Sequence, residues 1–275
     1  MLVAASLVCG PPPQTAASTL PAPIQCDRTE GSCWAPPQIL RWQWQIYCPK
    51  DPGARGCVDT LVRARMYDID GFDNSASLVA ELHAHGRHAI CYIDAGTRES
   101  WRPDADEFPS FVIGDPLDAP WTGQRWLDVR RIDAVGPVME RRMDMCRDKG
   151  FDGIQFDDLT GWQEEAGFDI TWDDQLAYNA WLANEAHERG LSAAFENDIE
   201  QAPELVDYYD WAIFEECNYY RECQRAALFP EAGKFVGEVE YRNRYADMRF
   251  CREMQRLGFN AMYKHRLVGS FRRAC

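Results

Sequence analysis

The sequence predicts an α/β fold: a (β/α)8 TIM barrel with an extra N-terminal strand. Three observations carry that prediction. Short apolar runs alternate with helix-period segments from Met66 to the C-terminus, eight such runs can be counted, and nearly every one ends in a carboxylate. In a parallel barrel every strand points the same way, so the carboxyl ends of the strands, and these acids with them, meet on one face.

Residues 1–37 stand apart from the rest. "MLVAASLV" is an apolar start without a basic leading region, and Cys9 follows it; the stretch reads as the remainder of an export signal or, at Cys9, as a point of lipid attachment. From Gly10 to Pro37 the chain is dense in Pro, Ser and Thr, a composition that resists regular structure, so a disordered linker is expected there and a single domain over residues 38–275. "RWQWQIY" (Arg41 to Tyr47) alternates as a strand does and supplies the extra strand, and the Pro/Gly-rich segment holding Cys48 and Cys57 reads as a loop.

The eight runs follow in order. "MYDID" precedes "SASLVAELHAHG", whose Leu78, Val79, Leu82 and closing Gly86 mark an amphipathic helix with a glycine stop. "AICYID" leads into a loop with Trp101, Arg102 and Pro103, and "RWLDV" precedes a helix from about Asp133 to Lys149. "GIQFD" precedes a helix from about Trp172 to Arg189; "SAAFEN", "WAIFEE" and "FVGEVE" come next, then a helix from about Tyr245 to Leu257 and "NAMYK". An open doubly wound sheet would want a glycine-rich phosphate turn after its first strand, and the chain has neither G-x-G-x-x-G nor a P-loop.

Composition narrows the function. With 29 basic against 44 acidic residues the net charge is −15, which repels nucleic acid and anionic membrane surfaces and attracts cations. No later apolar run is long enough to span a membrane, so membrane association would rest on Cys9 alone. Eleven cysteines without C-x-x-C pairs point to an oxidising compartment, secreted or in the cell envelope. Cys26 with Cys33, Cys48 with Cys57, Cys217 with Cys223 and Cys251 with Cys275 are close enough for local bridges; Cys91 and Cys146 are either a long-range pair or two buried thiols.

The strand-end acids are Asp68, Asp70, Asp94, Asp128, Asp157, Asp158, Glu196, Asp198, Glu215, Glu216, Glu238 and Glu240. A single Asp after a strand is usually a helix cap. Repetition around one face instead suits a cleft that binds a cation, a metal or a carbohydrate. The five histidines show no H-x-x-x-H arrangement, which weakens a metal-dependent hydrolase, and neither a metal nor a cofactor is expected. Trp44, Tyr92 and Trp101 lie near acidic strand ends, where aromatic faces can stack on sugar rings.

"RWQWQIY", "YDIDGFDNSASLVAELHAHGRHAICYIDAGTRESWRPD", "DMCRDKGFDGIQFDD", "FENDIEQ" and "WAIFEECNYYRECQ" together resemble the glycoside hydrolase family 114 domain, a family of endo-α-1,4-polygalactosaminidases on a (β/α)8 barrel. The resemblance implies a secreted hydrolase of a cationic amino-sugar polysaccharide, acting as a monomer, with Asp157 as nucleophile and Glu215 as acid/base in a retaining mechanism. Glycosidic cleavage wants such a pair on its own account: one carboxyl protonates the leaving oxygen and the other attacks or activates water. Substrate binding is expected from Asp68, Asp70, Asp94, Asp158, Asn197, Asp198, Trp44, Tyr92, Trp101 and Glu240. Relatives often carry Glu and Lys where this chain has Gln155 and Glu196, so an inactive carbohydrate-binding barrel, or a glycosidase for another sugar polymer, stays open at this point.

Overall fold

The computed structural model describes residues 20–26, 33–47, 58–241 and 248–275. Its elements, in chain order, are β1 (Trp42–Gln45), β2 (Met66–Asp70), α1 (Ala76–Ala84), β3 (His88–Asp94), β4 (Thr97–Glu99), β5 (Ile113–Pro116), β6 (Gln124–Leu127), α2 (Ile132–Asp148), β7 (Gly153–Asp157), α3 (Trp172–Glu188) and β8 (Ser192–Glu196). They continue with α4 (Ala202–Leu205), β9 (Trp211–Glu215), α5 (Cys217–Tyr220), α6 (Leu228–Glu231), β10 (Phe235–Tyr241), α7 (Cys251–Leu257), β11 (Asn260–Lys264) and β12 (Arg273–Ala274). A nine-stranded sheet runs β1-β2-β3-β7-β8-β9-β10-β11-β12, parallel except for β12.

The sheet is curled, as in a TIM-like barrel. Its strands are buried on both faces, which is why they read as near-continuous apolar runs. Trp42, Trp44, Met66, Ile90, Trp211, Ile213, Val239 and Met262 form an inner cluster, while a larger cluster fills the layer between the sheet and its helices. β1 and β11, the outermost strands of the parallel set, approach through side chains: Trp42 Nε1 donates to the Asn260 carbonyl at 2.7 Å, Asn260 Oδ1 accepts from Leu40 N at 2.9 Å, and Lys264 Nζ donates to the Trp44 carbonyl. Gly237 makes room for this packing, since a Cβ there would sit 2.5 Å from the Trp42 ring.

Two expectations are corrected. "RWLDV" was expected to be a main strand, but β6 pairs antiparallel with β4 and β5 in a separate three-stranded sheet. "WQWQ" is no addition outside the set: β1 pairs parallel with β2 and completes eight parallel strands. Local alternation cannot tell which sheet a strand joins, because the partner lies far away in sequence. Residues 20–26 and 33–37 make contacts with the barrel. Asn184 Oδ1 accepts from Ile24 N at 2.8 Å, Asn184 Nδ2 donates to the Ala22 carbonyl at 3.2 Å, His187 Nδ1 meets the Ile24 carbonyl at 2.6 Å, and Trp34 stacks on His88 at 3.7 Å. A proline-rich segment keeps its carbonyls free, and the polar side chains of α3 satisfy them.

Helix α3 starts where Thr171 and Asp174 form a reciprocal capping box. Among the described residues there are four disulfides: Cys26–Cys33, Cys91–Cys146, Cys217–Cys223 and Cys251–Cys275. Cys91–Cys146 is thus a pair, stapling β3 to α2 with 5.9 Å between Cα atoms. Cys9, Cys48, Cys57 and the expected helix start at Tyr245 lie outside the described residues.

Candidate active site

The carboxyl ends of the parallel strands surround a cavity of about 210 Å³. β7 delivers Asp157 to it and β9 delivers Glu215; Trp44 comes from β1, Tyr92 from β3 and Tyr241 from the end of β10. The residue after each of β7, β8 and β9 is left-handed: Asp158 has φ 58°, Asn197 φ 55° and Glu216 φ 54°. For non-glycine residues this conformation is uncommon and costly, and its repetition on three neighbouring strands marks a functional rim. Here it turns the chain sharply while Asp158, Asn197 and Glu216 all line the cavity. Gly96 lets the β3 connection close on this rim, because a Cβ there would lie 1.7 Å from the Asp158 carbonyl oxygen.

Both central carboxyls are held by donors. Asp157 Oδ2 accepts from the Tyr92 hydroxyl at 2.6 Å and Oδ1 from Asp158 N at 2.8 Å. Glu215 Oε2 accepts from Asn197 Nδ2 at 3.0 Å, Oε1 accepts from the Tyr241 hydroxyl, and Glu215 N donates back to Asn197 Oδ1 at 3.0 Å. Burial and then the nearby charge of Asp157 push Glu215 up to about 7, against the opposing pull of its Tyr241 and Asn197 donors. Burial holds Tyr92 and Tyr241 well above the ordinary phenol range, so both remain donors.

Other acids crowd the same anion. Asp68 is fully buried with neither oxygen hydrogen-bonded, and burial followed by Asp157 pushes it well up. Glu196 is raised by burial, then by Asp157 and Glu215; it accepts from Gln155 Nε2, while Gln155 Oε1 accepts from Trp44 Nε1 at 2.9 Å. Gln155 and Glu196 are therefore hydrogen-bonded to each other. Asp94 is raised to about 6 by burial and Asp157, and is held by Gly96 N, Thr97 N and Gln124 Nε2 at 3.1, 2.8 and 2.9 Å. Asp158 is raised well up by burial, then by Asp94.

These shifts predict a stability profile. A carboxyl whose folded pKa is raised binds its proton more tightly folded than unfolded, so its contribution is complete below about pH 4 and is lost as pH rises through the folded value. Asp94, Glu99, Glu215 and Asp198 have folded values of about 6, 7, 7 and 7. Asp152, lowered by its His88, Ala89 and His83 partners despite burial, opposes them only at lower pH. The urea midpoint is expected to be higher at pH 5 than at pH 8; a higher midpoint at pH 8 would contradict this electrostatic account.

Of the sequence-derived candidates, Asp157, Glu215, Asp158, Asn197, Trp44 and Tyr92 line the cavity. Asp68 and Asp94 lie close enough to interact with Asp157 but do not line it. Asp70 is engaged by Arg102 at 2.6 and 3.1 Å, and Asp198 accepts from Trp162 Nε1 and Asn179 Nδ2, both at 3.1 Å. Glu240 accepts from Asn218 N at 3.0 Å and Tyr219 N at 3.1 Å, and Trp101 is 48% exposed; neither lines the cavity. Glu216, named above as a strand-end acid but not assigned to binding, also lines the cavity, as does Tyr241; the lining residues that sequence reasoning did not single out include Trp121, Gln124 and Arg266. Tyr241 ends an apolar run beside acidic strand ends, whereas Trp121 and Arg266 sit in connections with no periodic signal.

Among the described residues, the one grouping with metal-ligand spacing joins Glu238 to Cys217 and Cys223. Their sulfurs are already bonded to each other, so they offer no thiolate.

The chain is similar to Aspergillus fumigatus Ega3, solved in complex with galactosamine, with 32% identity, 88% of this chain and 97% of that chain covered, and a TM-score of 0.80. The glycoside hydrolase domain of PelA from Pseudomonas aeruginosa shares the fold at 13% identity, covering 87% of this chain and 99% of that one with a TM-score of 0.67. Eubacterium rectale Amy13B shares it more distantly, at 10% identity, 86% and 66% coverage and a TM-score of 0.54. A search of curated proteins returns no significant match. The model of the family described as "Glycoside-hydrolase family GH114" matches residues 24–275, which hold every element that builds the cavity. The chain therefore belongs to glycoside-hydrolase family 114 and is a glycoside hydrolase.

Proposed function

We propose that this enzyme is an exported, endo-acting hydrolase of α-1,4-linked galactosamine polymers, working on a closed (β/α)8 barrel by a retaining mechanism with Asp157 as nucleophile and Glu215 as acid/base. The observation that carries the chemistry is the pairing on one cavity of a donor-held Asp157 with a Glu215 shifted to about 7. A carboxyl titrating there is protonated often enough to give its proton to the leaving glycosidic oxygen and basic enough to take one back.

In the first step Glu215 protonates the glycosidic oxygen as Asp157 attacks the anomeric carbon, breaking the glycosidic bond and forming a glycosyl ester. The ester has no charge. The field that raised Glu215 is thereby removed, its pKa falls, and the same carboxylate becomes the base that deprotonates the incoming water. Water then displaces Asp157, and the sugar leaves with its original anomeric configuration.

The substrate class rests on the similarity to a relative that binds galactosamine and on the charge of the molecule. A net charge of −15 and the cavity acids attract a polymer of ammonium-bearing sugars. Disulfides joining eight cysteines support an oxidising, extracellular setting. The test is reducing-end release from partially deacetylated galactosaminogalactan beside chitosan and polygalacturonate, with proton NMR of the first-formed anomer. Release from the galactosamine polymer alone, with the α-anomer first, is expected. A β-anomer first would mean inversion, and release only from another polymer would overturn the substrate.

A further inference from the structure

At about 210 Å³ the cavity is smaller than the sites of about 300 Å³ and upward that enclose drug-sized ligands, so it takes about one sugar and the rest of a polymer lies on the surface beyond it. Leu117 and Trp121 line it from the connection between β5 and β6. Trp101, in the loop after β4, reaches the same connection: its ring lies against Gly123, where a Cβ would stand 3.1 Å from it, and Gly123 is two residues from Trp121. Gly123 has φ 99°, a backbone that favours glycine, and the missing Cβ leaves room for the ring. Trp101 is held from both sides. Ser100 N donates to the Gly123 carbonyl at 2.9 Å, and Arg102 is buried in its bonds to Asp70 and Glu99. Trp121 and Trp101 are nevertheless 42% and 48% exposed, so much of each indole is left to solvent. A single exposed apolar residue is ordinary, whereas two indoles on one pinned turn beside a cavity form a surface.

A galacto-configured sugar has its 4-oxygen axial, which leaves ring C–H bonds together on the opposite face. That face packs on an indole by removing apolar area from water and by setting its positive hydrogens against the negative π face. The ammonium of galactosamine is drawn to the same π face. Neither attraction depends on the charge of the cavity carboxyls. Resting on the galactosamine-polymer reading above, we propose that Trp121 and Trp101 form an outer subsite that stacks the sugars neighbouring the one in the cavity, with Trp121 at the mouth and Trp101 beyond it. Trp101 then sets a preference for chain length without touching the bond that breaks.

A series of α-1,4-linked galactosamine oligomers from trimer to dodecamer tests this. Wild-type kcat/KM should rise with length. One aromatic stack is worth about tenfold, so in Trp101→Ala the ratio of dodecamer to trimer efficiency should fall by about that factor, mainly through KM because the contact is the same in ground and transition states. Trp101→Leu keeps apolar bulk against Gly123 without a π face and should lose the ratio as Ala does, while Trp101→Phe should keep most of it; thermal midpoints of the three variants show that each is folded. A wild-type efficiency that does not change with length, a ratio unchanged in Trp101→Ala and Trp101→Leu, or Leu and Phe behaving alike overturns this inference and leaves the galactosamine reading standing. If wild type cleaves none of the oligomers, that reading fails and takes this inference with it.

Discussion

Asp157→Asn and Glu215→Gln are each expected to lower kcat by about 100-fold or more, the lower end for losing a positioned acid, base or nucleophile. Their stability should distinguish this from damage to the fold. The charge of Asp157 contributes to raising Asp68, Asp94, Glu196 and Glu215, so its removal relieves several buried carboxyls at once. Asp157→Asn should therefore unfold at a higher urea concentration than wild type at pH 8 while being the less active protein, as expected where an active site keeps like charges together. Wild-type activity should decline above about pH 7, where Glu215 loses the proton it must donate. Asp158→Asn should be milder, because Asn tolerates the left-handed backbone at φ 58°. Near-full activity in both Asp157→Asn and Glu215→Gln would end the assignment of this pair.

Arg102→Met is expected to have the largest effect on stability. Arg102 is 8% exposed; Nη2 and Nη1 donate to Asp70 at 2.6 and 3.1 Å, and Nε and Nη2 donate to Glu99 at 2.6 and 2.8 Å. Removing it leaves two buried carboxyls without their cation, a loss of about 3–5 kcal/mol. Burial raises Glu99 to about 7 even with Arg102 present, so the variant should recover part of its stability at pH 5, where the orphaned acids take up protons. Urea unfolding at pH 5 and pH 8 checks this, and an equal loss at both would point to packing over Phe72 instead of charge.

The acid pair was legible because strand-end carboxylates are conspicuous against apolar runs, and Asp157 and Glu215 end β7 and β9 as that pattern suggests. The same pattern selected too many acids. Asp70 and Asp198 look identical to Asp157 in sequence, yet one is engaged by Arg102 and the other by Trp162 and Asn179, partners 32, 36 and 19 residues away. Strand direction was equally ambiguous. Glu238 stands near the Cys217–Cys223 bridge and Glu240 holds the backbone of α5, while Val239 joins the inner cluster and Tyr241 lines the cavity.

By itself the sequence determined the α/β class, the acidic surface, the cysteine-rich chemistry and the short set of carboxyls from which a catalytic pair is drawn. Each of these is a local or summed property, written in composition, in apolar runs and in the residue that ends each run. Only the tertiary structure decided that β1 belongs to the parallel set and β6 does not, that Gln155 pairs with Glu196, and that Trp121 and Arg266 face the same cavity as Glu215. Strands buried on both faces lose the alternation that would show which side looks inward, and loop residues acquire surroundings only when the strands that carry them are brought together.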